Sequence, residues 1–378
     1  MAGEWLHVWS GMTLSAWLRL LRRNRFAVSP ARLPRAALMT AAALGNSYFA
    51  RMQERRYGRR IAGTGLAAAP LFIIGHWRSG TTFLHELLAL DEGFLWPNAY
   101  ECFAPGHFLV TQGWGRRHLA RYLPATRPMD AMAFGFDRPQ EDEFALLNLG
   151  LGSPYETLAF PNRRPGGAEY LDPARLSDDE RAAWRSGLLH FLRAVQLRAE
   201  RRDPAAAKKR MLLKSPTHTA RLAVLRALFP DAAFVHLVRD PYELFASTRR
   251  LWVVLFAREG LQTPRLGVLK GGVPALDDYI FAMLDRLYCD FSQQAALIPA
   301  RQFCEVRYED LAARPLDTLE FLYDHLALGD FSAMRGKIER HLAGLDHVPN
   351  RHCLSAEEKT EIRRRWSAYF DRYGYGRT

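Results

Sequence analysis

Residues 71–90, LFIIGHWRSGTTFLHELLAL, place a continuous apolar run directly before a glycine-bracketed loop and an amphipathic stretch. A β-rich run without polar alternation fits a strand buried on both faces, as in a parallel sheet. Gly75 and Gly80 have the spacing of a phosphate loop, and Thr81 and Thr82 follow the second glycine. In such a loop the glycines let successive backbone N–H groups converge on an anion at the positive end of the next helix. One position departs from the nucleotide-triphosphate pattern. Thr81 stands where lysine is usual, and Arg78 lies inside the loop, where a guanidinium can offer a planar fork of donors. The segment predicts an anion site suited to something other than an ordinary triphosphate.

Three further runs resemble this strand: RMLLK (210–214), AFVHLVR (233–239) and FCEVRYE (303–309). Helical stretches are predicted after each, at 82–90, 217–229, 241–255 and 315–326. Alternating strand and helix implies an α/β fold with a central parallel sheet. The segments 91–205 and 256–300 read as insertions forming the acceptor side of a main domain spanning 66–378. Residues 1–65 read as a basic helical leader. Thr13 caps a predicted helix whose Leu14, Trp17, Leu18 and Leu21 share a face opposite Arg19 and Arg23. That face fits either a membrane interface or packing on the chain's own domain. Pro30 and Pro34 break the chain before a second helix from about residue 35 to 55. At the C-terminal end, Ser355 and Glu358 form a capping-box signature for a last helix.

A second anion site is legible in LVRDPYELFAST (237–248). Arg239 ends a strand, Asp240 and Pro241 open a helix, and Glu243 is spaced to complete a capping box with Asp240. Ser247 follows two helical turns on. A strand-end arginine and a helix serine can reach one phosphate at the carboxyl edge of an open α/β sheet. The charge balance agrees: 52 Lys+Arg against 40 Asp+Glu give +12, which favours anionic partners. The four cysteines, Cys102, Cys289, Cys304 and Cys353, have no metal or disulfide spacing, which fits a reducing cytoplasm. The longest nearly apolar run, from Ala36, is about half the ~20 residues of a spanning helix.

Together, PLFIIGHWRSGTT, LLKSPTH, FVHLVRDPYELFAST and VRYEDL resemble, in order, the motifs of sulfotransferases that use 3′-phosphoadenosine-5′-phosphosulfate. The similarity is closest to bacterial members with a Lys-Ser-Pro-x-His motif and an acidic DxPxEDE segment, and it runs from about residue 70 to the C-terminus. It implies a P-loop-containing three-layer α/β/α fold and a metal-free reaction. By position it implies that Arg78, Ser79, Gly80, Thr81 and Thr82 hold the 5′-phosphosulfate. Arg239 and Ser247 would hold the 3′-phosphate, with Tyr308 near the nucleotide. Arg78 takes the place of a lysine in cytosolic members, as in tyrosylprotein and many bacterial members. The Arg-Lys-Gly triplet of cytosolic members is absent; RGK (335–337) and NRH (350–352) are only loose stand-ins.

Sulfuryl transfer moves a group with less charge than a terminal phosphate, so the loop need not support the Mg²⁺ clamp of kinases. Arg78 and Lys214 are candidates to stabilise charge growing on the bridging oxygen. The base that takes the acceptor's proton is either Glu101 in NAYEC or His218 in KSPTH. Asp137, Glu141, Asp142 and Glu143 match the family's acidic segment or form a solvated turn. His85 and Glu86 read as ordinary helix residues, and His236 as a satisfied core histidine. Aromatic insertions such as GFLWPNAYECFAPGHFLV fit either an apolar acceptor channel or core. Together with the basic leader, they point to a small-molecule or lipid hydroxyl acceptor. They also point to a cytoplasmic enzyme able to lie peripherally at the inner face of an anionic membrane. No nucleic-acid module is recognisable. A P-loop kinase or NTPase, and a non-catalytic anionic-membrane-binding protein, are the competing readings.

Overall fold

The computed structural model describes residues 7–123, 126, 134–163, 165–265, 275–344 and 353–376. The NRH stand-in at 350–352 lies outside them, as do residues 129–133 and 266–274 of the insertions. In chain order, helices α1 (Leu14–Arg23) and α2 (Leu33–Gly63) precede strand β1 (Leu71–Gly75) and helix α3 (Thr81–Leu88). Next come β2 (Phe94–Leu95), α4 (Ala99–Phe103), α5 (Phe108–Leu119), α6 (Asp142–Asn148) and α7 (Asp178–Arg202). Strand β3 (Arg210–Lys214), α8 (Leu222–Leu228), β4 (Ala233–Val238) and α9 (Pro241–Glu259) follow. After α10 (Leu276–Tyr288) and α11 (Phe291–Ala296) comes β5 (Phe303–Arg307). The chain ends with α12 (Tyr308–Ala313), α13 (Pro315–His325), α14 (Ser332–Ala343), α15 (Ala356–Arg365) and α16 (Ser367–Tyr373).

These elements form two compact units. The first joins Met1–Ala68, Gly93–Leu213 and Val254–Val273, so the leader shares one unit with the long insertion. Thr13 does cap α1, its hydroxyl accepting from Ala16 N. The covered face is Ala16, Trp17, Leu20 and Leu21, whereas Leu18 points outward. Trp17 is fully buried and its indole N–H donates to Thr40 of α2 at 2.9 Å. The α1 face that could have entered a membrane is therefore covered within its own unit. Helix α2 is longer than the sequence implies. Pro34 sits in its first turn, where no N–H donor is needed, so the proline starts the helix instead of delaying it. In the same unit β2 pairs parallel with β3, Phe94 beside Arg210.

The second unit comprises Ala69–Glu92, Lys214–Val253 and Pro274–Thr378. Here β4 lies between β1 and β5, all parallel, in the registers Leu71↔Ala233 and Phe234↔Phe303. Strands β1 and β4 are buried at every position, as their unbroken apolar sequences require. Strand β5 alternates instead, burying Cys304 and Val306 and exposing Glu305 and Arg307. His236 is satisfied within β4: its Nδ1 meets Glu305 Oε2 at 2.8 Å and its Nε2 meets Tyr288 Oη at 2.9 Å. Burial lowers its pKa, so the ring is a neutral core residue. The predicted helix at 217–229 divides into a 3₁₀ turn, Pro216–Ala220, and α8. The C-terminal capping box of Ser355 and Glu358 forms, but the helix it starts breaks at Trp366 into α15 and α16.

Candidate active site

Local devices place the anion-binding residues at the ends of β1, β3 and β4. Strand β1 ends on Gly75, whose φ is +143° and whose hypothetical Cβ would lie 2.5 Å from the Leu237 carbonyl oxygen. Only glycine permits that approach. Thr219 clasps the same residue, its hydroxyl accepting from Gly75 N (2.8 Å) and donating to Gly75 O (3.1 Å). Ser79 turns inward, with its N–H and its hydroxyl both donating to His76 O, at 3.2 and 2.8 Å. Its side chain thus props the loop from within. Arg78 adopts a left-handed φ of +70°, a conformation costing a residue with a Cβ about 1–2 kcal/mol. Gly80 follows at φ +97°, and α3 starts without a side-chain cap. Its first-turn N–H groups therefore fit an anion.

Three cations gather around this loop. Arg78 Nε donates to Ser247 Oγ at 3.0 Å, joining the first anion motif to the second across 169 residues of sequence. Arg239 Nη1 donates to the Arg78 carbonyl at 3.0 Å, and its guanidinium lies 4.4 Å from the Tyr308 ring centroid. Lys214, buried at the end of β3, donates to Thr82 Oγ1 at 3.3 Å. Thr248 Oγ1 donates to Trp77 O at 3.3 Å and braces the loop. Sequence reasoning passed over Thr219 and Thr248. Their signal was a hydroxyl directly after a residue already singled out, His218 and Ser247.

The cap of α9 differs from expectation. Asp240 Oδ1 accepts from Tyr242 N and Glu243 N at 2.9 and 3.1 Å, but Glu309 accepts the Asp240 N–H at 2.8 Å. Glu243 instead lies 3.7 Å from Arg239. The strand-end guanidinium attracts the carboxylate that would have closed the box.

His218 is fully buried in the 3₁₀ turn, edge-on to Phe72 at 5.5 Å. Its Nδ1 lies 3.5 Å from Arg221 Nη1, which also donates to Thr217 Oγ1 at 3.0 Å. An arginine only donates, so this contact would call on the Nδ1 lone pair. His85 and Glu86 are buried helix residues, as read. Burial chiefly, and then Lys214, hold His85 neutral by lowering its pKa.

Glu101 belongs to the first unit and is no exposed loop carboxylate. It is fully buried at the third position of α4, where it forms a capping box with Asn98 (2.9 and 3.0 Å). Arg198 Nη2 donates to its Oε2 at 2.9 Å. Burial raises its pKa, and the Arg198 guanidinium partly opposes this. Nor is the acidic segment a solvated turn. Asp142 and Glu143 are buried in α6, Glu141 accepts from Tyr155 Oη, and only Asp137 is exposed, paired with Arg116 at 2.7 Å. In the same unit a cavity of about 580 Å³ is lined by Arg116, Leu123, Phe134, Phe136, Asp137 and Arg138.

Comparison with known proteins identifies the family. The family model described as "Sulfotransferase family" matches residues 70–332. The omega-hydroxy-beta-dihydromenaquinone-9 sulfotransferase Stf3 of Mycobacterium bovis is 40% identical over 376 residues, covering 99% of this chain and 93% of its own. The chain belongs to the sulfotransferase family. As a sulfotransferase it is an enzyme, which sets aside the kinase and the non-catalytic readings. The sulfotransferase also shares its fold with two solved structures. STF9 from Mycobacterium avium matches with a TM-score of 0.66 at 19% identity, over 91% of this chain and 86% of its own. STF1 from Mycobacterium tuberculosis H37Rv matches at 0.63 and 20% identity, over 93% and 90%. The α/β fold with parallel strands expected from the sequence is the fold of this sulfotransferase.

Proposed function

We propose that the enzyme moves a sulfuryl group from 3′-phosphoadenosine-5′-phosphosulfate to the hydroxyl of a lipid alcohol. The observation that carries this reading is the Arg78–Ser247 hydrogen bond, with Arg239 donating to the Arg78 carbonyl. Two anion-binding motifs far apart in sequence meet at one place, as a nucleotide charged at both ends requires. The uncapped start of α3 with Thr81 and Thr82 suits the 5′ group, and Arg239 with Ser247 suits the 3′-phosphate. Tyr308, already stacked under Arg239, offers the nucleotide an aromatic neighbour. For the acceptor, support comes from the 40% identity to an enzyme whose name specifies an omega-hydroxylated menaquinone. The partly apolar cavity beside Phe134 and Phe136 in the first unit is a candidate place for the apolar body of such a molecule.

In the displacement the acceptor oxygen forms a bond to sulfur as the bond from sulfur to the bridging phosphate oxygen breaks. The hydroxyl proton passes to a base, and adenosine 3′,5′-bisphosphate leaves. Arg78 and Lys214 stabilise the negative charge gathering on the bridging oxygen. Glu101 is the base we favour, because burial has made its carboxylate hungrier for a proton. His218 is the weaker choice, since its accepting nitrogen faces Arg221.

The donor site is tested by calorimetry with adenosine 3′,5′-bisphosphate; no measurable affinity would refute the assignment. Turnover of radiolabelled donor against a panel of hydroxylated lipids, steroids and phenols tests the acceptor. The lipid reading fails if only phenols react. For the base, Glu101→Gln should remove the acid limb of the kcat profile while His218→Gln retains it. The opposite pattern would transfer the role to His218.

A further inference from the structure

We propose that the outward face of α2 docks on an anionic membrane surface. This goes beyond the reaction, concerns the first unit alone, and does not depend on the acceptor's identity. Large exposed apolar side chains are unevenly distributed among the described residues. Of ten, seven fall between Leu18 and Phe49, and five of these are on α2: Leu33 (55% exposed), Leu38 (38%), Leu44 (56%), Tyr48 (65%) and Phe49 (36%). The helix is not short of partners on its other side. Ala36, Met39, Ala43, Gln53, Tyr57 and Ile61 are buried, and Ser47 and Asn46 bond to Leu14 N and to the Ser10 and Met12 carbonyls. Leu33, Ala37, Ala41, Leu44 and Tyr48 recur at helical spacing along the remaining face, a stripe about 22 Å long.

Charge identifies the occupant. The same exposed arc continues past Tyr48 into Arg51, Arg55 and Arg59, with Arg56 and Arg60 beside them. None of these five forms an ion pair among the described residues, although Arg56 and Arg60 lie over the Tyr57 ring. At the other end, exposed Arg22 lies in the last turn of α1 and the turn before α2 carries exposed Arg25 and Phe26, these two at φ +52°. An apolar stripe with arginines at both ends matches an interface in which acyl chains meet anionic headgroups. A second copy of this chain would set arginines against arginines unless it packed antiparallel with a shift, so a lipid surface is the better fit.

The test is flotation of the full chain with phosphatidylcholine vesicles, with and without phosphatidylglycerol. The wild type should float with the anionic vesicles alone, and less so as salt rises. Leu44→Glu/Tyr48→Glu, at exposed positions, should abolish flotation while leaving circular dichroism and melting unchanged. Arg51→Gln/Arg55→Gln should weaken partitioning about thirtyfold, from about fivefold per arginine. Leu297→Glu, an exposed leucine in the second unit, is the control and should float like the wild type. Failure of the wild type to float, or undiminished flotation of Leu44→Glu/Tyr48→Glu, overturns the proposal. So does a dimer in light scattering that this double variant dissociates when no vesicle binding is seen.

Discussion

Gly80→Ala should damage the loop through one identifiable collision. At φ +97° the backbone at residue 80 suits only glycine, and an alanine there is strained by about 1–2 kcal/mol. The new methyl would also lie 2.3 Å from Tyr308 Cδ2 and 3.0 Å from Cε2. Tyr308 cannot yield freely, because its ring carries the Arg239 guanidinium 4.4 Å away. Forcing an extra carbon into such a packed contact costs a further ~1–3 kcal/mol. The expected loss is therefore about 2–5 kcal/mol. The two parts separate in a double-mutant cycle, since Tyr308→Ala removes the collision but leaves the backbone strain. Denaturant unfolding of the four proteins should give a coupling of about 1–3 kcal/mol, with Gly80→Ala milder in the Tyr308→Ala background. Calorimetry with adenosine 3′,5′-bisphosphate should show at least about tenfold weaker binding by Gly80→Ala, because the displaced ring carries Arg239 with it. An equal loss in both backgrounds would refute the steric argument, and an unchanged midpoint would refute the strain as well.

Three other perturbations address different parts of the molecule. Arg78→Ala should lower kcat at least about a hundredfold, the usual effect of deleting a charge-stabilising donor, with the circular dichroism spectrum unchanged; turnover near wild type would remove Arg78 from the chemistry. Glu156 is pushed up to about 7 by burial, against the pull of Arg23 on α1. The folded state thus binds the proton more tightly than the unfolded chain, so stability is fully present below about pH 4.5 and falls by about 3 kcal/mol as pH rises through 7. Glu156→Gln should flatten that slope in unfolding measured from pH 4.5 to 7.5, and an unaltered slope would assign it to other groups. Arg249 joins α9 to α10 and α15 through Asp277 (2.8 and 2.7 Å) and Glu358 (2.7 Å). Arg249→Ala should cost about 2 kcal/mol in denaturant unfolding, and no measurable change would mean these pairs are fully screened.

Unbroken burial leaves an unbroken or nearly unbroken apolar run, which was enough to locate β1, β3 and β4, whereas β5 was legible from its β-rich composition although it buries only Cys304 and Val306. β2 escaped notice since two residues, Phe94 and Leu95, carry no period. α2 outran its reading because its exposed face mixes leucine, alanine and arginine, which blurs a helical stripe. Each anion motif was legible alone, as strand–loop–helix chemistry is local. Their meeting through Arg78 and Ser247 was not, because a contact 169 residues apart leaves no mark in either segment. The same limit explains the cap of α9, where Glu309 supplants Glu243 from another helix, and the burial of Asp142 and Glu143. The burial of Glu101 was not legible for the same reason, since Arg198, its partner on α7, lies 97 residues away.

The hydrogen bond between Arg78 and Ser247 has a kinetic corollary for an enzyme of the kind proposed. A clamp assembled during folding does not need to be ordered again when its ligand arrives, so nucleotide capture should be strong and quick. Spent nucleotide, which keeps a phosphate at each end, meets the same ready grip. Its departure, slower than the bond-making step, would then set the pace of turnover, and loosening Ser247 would be a route to a faster catalyst with a poorer hold on its donor.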